Sequence, residues 1–154
     1  MEIKLIRAGV NDAERLWKMQ VEAFAEMYRK YCDDETSPAA EPLEKTLARL
    51  DQPFSYYYFI MAEGAAVGAI RVIDANDGYP KRISPLFIMS RYRRRGIALA
   101  ALAEVERIHG NSGWELETVL QEAGSCRLYE KAGYLRAGER AVNGKMTLAV
   151  YKKV

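Results

Sequence analysis

Two hydrophobic periods alternate along this chain, and the places where one gives way to the other lay out its elements. Ile3 to Arg7 (IKLIR) alternates as a half-buried strand does. Asn11 and Asp12 then offer capping oxygens to a helix running to about Lys30, in which Leu16, Met19, Ala23, Phe24 and Met27 recur at spacings of three and four. Cys32 to Pro42 keeps neither period; it is acidic, carries Pro38 and Pro42, and reads as a loop. A short helix follows, with Leu43, Leu47 and Leu50 on one face.

Strands come next. Ser55 to Ala62 (SYYYFIMA) and Ala65 to Asp74 (AAVGAIRVID) are rich in aromatic and β-branched residues, and Glu63-Gly64 between them suits a tight hairpin. Arg82 to Met89 (RISPLFIM) is the third strand of this meander. Pro85 inside it donates no ladder hydrogen bond, so a bulge or an unpaired side is expected there. Ile97 to His109 reads as a helix, Trp114 to Leu120 as a strand, and Gly124 to Ala132 as a short helix ended by Gly133. Tyr134 to Arg140 and Met146 to Lys152 are the last strands. The order β-α-α-β-β-β-α-β-α-β-β predicts the α/β class. We expect a mixed, twisted sheet of six to seven strands with helices on both faces, in one domain over residues 1–154.

Composition narrows the function more than the fold. Apolar residues make up 49% of the 154 and charged ones 29%, as in a folded globule. The net charge of +2 is small for a dedicated nucleic-acid binder, which spreads a larger basic excess over one face. Cys32 and Cys126 are too few for a disulfide framework, and the start shows no charged-then-apolar leader. No stretch approaches the roughly 20 apolar residues of a bilayer span. These features predict a reduced, cytoplasmic protein with no membrane or nucleic-acid partner.

The densest charge is local. Ser90 to Leu102 (SRYRRRGIALAAL) places Arg91, Arg93, Arg94 and Arg95 within five positions and turns apolar at Gly96. A strand precedes this turn and a helix follows it. The first N–H groups of a helix lack intrahelical partners and carry partial positive charge, so such a start accepts an anion. Gly96 removes a side chain where an anion must approach, and Ala98 keeps the next exposed face small. Arginine–glycine turns also occur as plain helix starts, so this feature alone leaves both readings open.

Arg93-Arg94-Arg95-Gly96-Ile97-Ala98 fits the pattern Arg/Gln-x-x-Gly-x-Gly/Ala, and Arg127 to Tyr134 (RLYEKAGY) is similar to a Leu-Tyr-Glu-Lys-x-Gly-Phe segment. In both motifs and in its element order the chain resembles the GNAT N-acetyltransferases, whose first motif grips the pyrophosphate of acetyl-CoA. The resemblance implies the GNAT fold, acetyl-CoA as cosubstrate without a metal, and acetyl transfer to a primary amine by direct attack in a ternary complex. It makes the arginine run a cofactor cradle rather than a nucleic-acid patch. The acceptor class, small molecule or peptide, is not legible. The competing reading is a non-catalytic acyl-CoA-binding or sensing module, and a homodimer is compatible with either.

Carried over by position, the resemblance gives the backbone of Leu86, Phe87 and Ile88 to the pantetheine amides. It gives Arg93, Arg94, Arg95, Gly96, Ile97, Ala98 and Leu99 to the cradle. Tyr129 matches the tyrosine that protonates the departing CoA thiolate, help worth roughly 10²–10⁴-fold; by helical spacing alone it is a core tyrosine. Glu117 lies on a strand where some members carry a glutamate proposed as general base, with an ordered water as the competitor. Acting as a base would require burial that raises its carboxyl. Glu122 stands where many relatives have an asparagine contacting the cofactor, and an ionised carboxylate cannot donate that hydrogen bond.

Other residues draw structural readings first. His109 near a helix end suits the dipole there. Cys126, three residues before Tyr129, reads as small buried filler, with an acyl carrier as the alternative. Tyr56, Tyr57 and Tyr58 send alternate rings to opposite faces, one of them core and the other open to an acceptor cleft. Asp33, Asp34 and Glu35 read as a solvated run, or as an attractor for a cationic amine.

Overall fold

The computed structural model describes residues 2–34 and 36–154. Among these, seven strands form one sheet: β1 (Ile3–Arg7), β2 (Ser55–Ala62), β3 (Ala65–Ile73), β4 (Lys81–Ile88), β5 (Trp114–Val119), β6 (Leu135–Ala141) and β7 (Thr147–Lys153), in the order β1-β2-β3-β4-β5-β7-β6. Four helices accompany them: α1 (Ala13–Tyr31), α2 (Leu43–Asp51), α3 (Ile97–His109) and α4 (Ala123–Lys131). Only β4 and β5 run parallel, which is why a helix, α3, must connect them. The expected mixed sheet with helices on both faces is the fold observed.

Alternation along β2 decides which helix covers which face. Tyr57 and Phe59 bury against Leu16 and Ala23 of α1, together with Ala69 and Phe87. Tyr58 and Ile60 bury on the other side with Ile97, Ala101, Leu102 and Val105 of α3 and with Cys126 and Tyr129 of α4. The β2–β3 hairpin turns through Glu63 and Gly64, both at positive φ (52° and 78°), as a two-residue turn matched to strand twist requires.

Three local expectations change. Leu47 points outward on α2, and Thr46 is the residue fully buried there, while Leu50 packs beneath α1. Asp12 does not cap α1 with its side chain; its Oδ2 accepts from Gly9 N at 2.8 Å, closing the 3₁₀ turn before the helix. His109 is no charged partner for the α3 dipole. Its Nε2 is 2.8 Å from Tyr58 Oη, and burial lowers its pKa, favouring the neutral ring.

The sheet is irregular where β4 meets β5. They pair only at Lys81↔Trp114 and Arg82↔Glu115, then diverge. On its other side β4 stays paired with β3, but the register jumps from Val72↔Ile83 to Ile70↔Leu86, leaving Ser84 and Pro85 opposite Arg71. This is the bulge that Pro85 foretold. At the far edge every residue of β6 is exposed, and Arg136, Glu139 and Arg140 guard that edge against stray pairing.

Candidate active site

Divergence of β4 from β5 opens a cleft of about 690 Å³. Its walls are the end of β4, the turn into α3, the start of α4 and one side of α1. Met89 N donates to Val67 O at 2.8 Å, so by ladder alternation Phe87 bonds toward β3 while the backbone groups of Leu86 and Ile88 face the opening. Of these, the Ile88 carbonyl already accepts from Arg93 Nε at 2.8 Å.

The turn into α3 is shaped by two left-handed residues, Arg94 at φ 65° and Gly96 at φ 77°. A non-glycine residue in this conformation is uncommon, and successive N–H groups in such turns converge on anions. A Cβ at Gly96 would meet no other protein atom within 4 Å, so glycine is needed there for its backbone angle and leaves open space above it. The first bond of α3 runs from Ala100 N to Gly96 O at 3.1 Å. The N–H groups of Ile97, Ala98 and Leu99 therefore lack intrahelical partners.

The arginines divide by role. Arg93 turns inward, donating to Ile88 O and, from Nη2, to Ala23 O at 2.7 Å, and so clamps the turn to both β4 and α1. Arg94 lines the cleft, whereas Arg95 lies outside it with its guanidinium 5.7 Å from the Tyr92 ring.

Tyr129 lines the same cleft from α4 and is 8% exposed. Burial pushes its pKa up, so the hydroxyl keeps its proton. The Tyr134 ring packs edge-on at 6.0 Å and fixes its position. Glu122 lines the cleft at the start of α4, its Oε2 accepting from Lys30 Nζ at 2.8 Å and Tyr31 Oη at 2.5 Å. Those two bonds hold its carboxyl below the usual range.

Of the residues singled out in the sequence, Leu86, Phe87, Ile88, Arg93, Arg94, Gly96, Ile97, Ala98, Leu99, Glu122 and Tyr129 meet at this cleft. Glu117 does not join them. It leaves β5 on the face opposite Leu116, and both its oxygens are engaged: Arg140 donates to Oε2 at 3.0 Å and to Oε1 at 3.2 Å, with Arg82 at 3.6 Å. None of Tyr56, Tyr57 and Tyr58 lines the cleft; Tyr57 lies beneath α1. Asp33 accepts from Thr36 and Asp34 from Tyr28, while Glu35 lies outside the described residues. Sequence reading missed Ala123, Gly124 and Ser125, which place a second helix start on the cleft, and Phe24, Met27 and Lys30 of α1. The small residues of Ala123 to Ser125 were the available signal.

The family model for the acetyltransferase (GNAT) family matches residues 15–134. No curated protein sequence matches the chain. Among solved structures, a spermidine N-acetyltransferase chimera from Vibrio cholerae is similar at TM-score 0.74 and 15% identity, over 99% of this chain and 96% of that one. The PaiA N-acetyltransferase from Thermoplasma acidophilum in complex with coenzyme A gives TM-score 0.71 and 20% identity, with all of both chains covered (100% and 100%). The ribosomal-protein-S18-alanine N-acetyltransferase from Escherichia coli gives 0.73 and 13%, over 97% and 92%. At these identities the structures speak for the fold, and the family match, spanning most of the chain, settles the membership: the protein belongs to the GNAT acetyltransferase family.

Proposed function

We propose that the protein transfers acetyl from acetyl-CoA to a primary amine by direct attack in a ternary complex. The observation that carries this reading is one cleft shared by a helix start with unpaired N–H groups, a diverging strand edge and a buried, protonated tyrosine. The residues fit the cosubstrate: the N–H groups of Arg94 to Leu99 suit its pyrophosphate, and the Leu86 backbone groups with the Ile88 N–H suit its pantetheine amides. Bound there, acetyl-CoA supplies an activated acetyl thioester.

The remaining chemistry belongs to this chain. Tyr129 holds a proton at Oη inside the cleft, ready for a developing thiolate. Its raised pKa keeps it a donor throughout the neutral range. Arg93 holds β4, the cradle and α1 at fixed spacing. Glu117, committed to two arginines, is poorly placed to take the amine's proton, and we assign that proton to water. Structural neighbours named for spermidine and for an alanine of a ribosomal protein make both small and peptide amines reasonable acceptors to try. A panel of such amines, read by CoA thiol release, tests the proposal. Release above the no-amine rate is expected; tight CoA binding with no release on any amine would favour a sensing module.

A further inference from the structure

Arg71, in the middle of β3, is a buried cation at 6% exposure. It lies on the α1 and α2 side of the sheet, in register with Tyr57. Nε donates to Ser55 Oγ at 2.8 Å, Nη2 to Gln52 Oε1 at 2.8 Å, and Nη1 to the Ser84 carbonyl oxygen at 2.9 Å. All three acceptors are neutral, and among the described residues no carboxylate forms an ion pair with it. Burial, aided by nearby Arg49, lowers its pKa to about 10. Apolar residues of similar volume often serve stability as well as a buried charge does. Arginine meets a requirement here that an apolar residue cannot, three hydrogen bonds made at once.

One of the three reaches across the ladder. Arg71 is the single β3 residue opposite the two bulged residues Ser84 and Pro85. The extra residue resets alternation in β4: Ile83 and Leu86, three apart, both pack on the α3 side, while Phe87 packs beneath α1. A one-residue slip would exchange the faces of everything beyond the bulge. It would also turn the Phe87 backbone toward the cleft and those of Leu86 and Ile88 toward β3.

We infer that Arg71 is a positioning residue, which pins the bulge through Ser84 and so decides which backbone groups of Leu86 to Ile88 face the slot. Its bearing on CoA rests on the proposed function; its bearing on strand register does not.

The test uses the full chain with Arg71→Met and Arg71→Lys, read by amide hydrogen exchange, CoA calorimetry and thermal unfolding. In the wild type, the Phe87 amide should be protected while those of Leu86 and Ile88 exchange fast. Arg71→Met should lower Phe87 protection relative to Ile60 and weaken CoA binding by about tenfold, the scale of one charge-assisted hydrogen bond. Its melting temperature should fall as well, because three acceptors lose their donor, but Phe87 protection should fall further than that global loss, and Arg71→Lys should recover part of both. Wild-type protection with CoA affinity within about twofold in Arg71→Met overturns the inference. So do losses in both variants that merely follow global unfolding. If the wild type binds no CoA, the proposed function fails instead, and the exchange pattern alone decides the role of Arg71.

Discussion

Two helices begin on the same cleft and begin differently. α3 starts from Gly96, with no acid in its first turn and arginines before it. α4 starts from Glu122, whose carboxylate caps none of that helix's N–H groups and is instead fastened by Lys30 and Tyr31 from α1. Both starts carry the same backbone dipole. The side chains decide what it does: one start is flanked by cations that favour an outside anion, and the other carries a carboxylate that repels one. About two turns beyond that acidic start, α4 presents Tyr129. On the proposed function, the division is between a helix that binds and a helix that acts.

The largest break in that comparison should come from Tyr129→Phe. Loss of the hydroxyl should lower kcat by roughly 10²–10⁴-fold while leaving CoA affinity unchanged, because the ring still packs on Tyr134. Steady-state kinetics beside calorimetry separates the two. A variant with wild-type kcat under rate-limiting chemistry would return Tyr129 to the core.

The reciprocal break is Gly96→Asp. A side chain at φ 77° costs about 1 kcal/mol, and a negative charge at the helix start removes up to about 2 more from anion binding. CoA affinity should fall by about 100-fold. Gly96→Ala, which meets no neighbour, isolates the backbone part and should lose far less. Equal affinities for wild type and Gly96→Asp in calorimetry would remove the cradle from α3.

The two starts were not equally legible. Arg-x-x-Gly-x-Ala is a local pattern whose meaning depends only on a strand before it and a helix after it, and periodicity supplied both. Ile97 to His109 is the helix observed. The α4 start depends on which residues of α1 reach it, 91 and 92 positions away in sequence, and no period encodes that contact. Glu117 failed to reach the cleft for a related reason. Alternation puts it on a face, but only the packed sheet reveals Arg82 and Arg140 beside it. Leu47 yielded to Thr46 because a nine-residue helix offers too few turns for spacing to fix its inward face. Pro85 was the opposite case, since a missing donor inside a strand has few solutions.

Arg93→Met should be intermediate. Its guanidinium bonds two carbonyls, Ile88 O and Ala23 O, and bonds to a charged donor contribute about 1.5–3 kcal/mol each when fully protected. With partial solvent access we expect a loss of about 2 kcal/mol in denaturant unfolding, far more than for Arg95→Met, which gives up only surface contacts. Equal stabilities for the two variants would mean that the turn holds its shape without the clamp.

The smallest effect, and the sharpest test of the contrast, belongs to Glu122→Gln. The Lys30–Glu122 pair is exposed on the lysine side at 54%, so its loss should cost little stability, and that cost should shrink in high salt. Its pH dependence has a definite sign. Hydrogen bonds from Lys30 and Tyr31 lower the folded-state pKa. The stabilisation is therefore present above the unfolded value near 4.3 and disappears as pH falls through the lower, folded one. Wild type and variant should differ at neutral pH and converge in acid. CoA affinity should move the other way, since the variant removes a negative charge that repels an anion from the cleft. Severalfold tighter binding is expected, below about tenfold. Weaker binding would mean that Glu122, despite its charge, already serves the cofactor, and the two helix starts would then differ less than their sequences do.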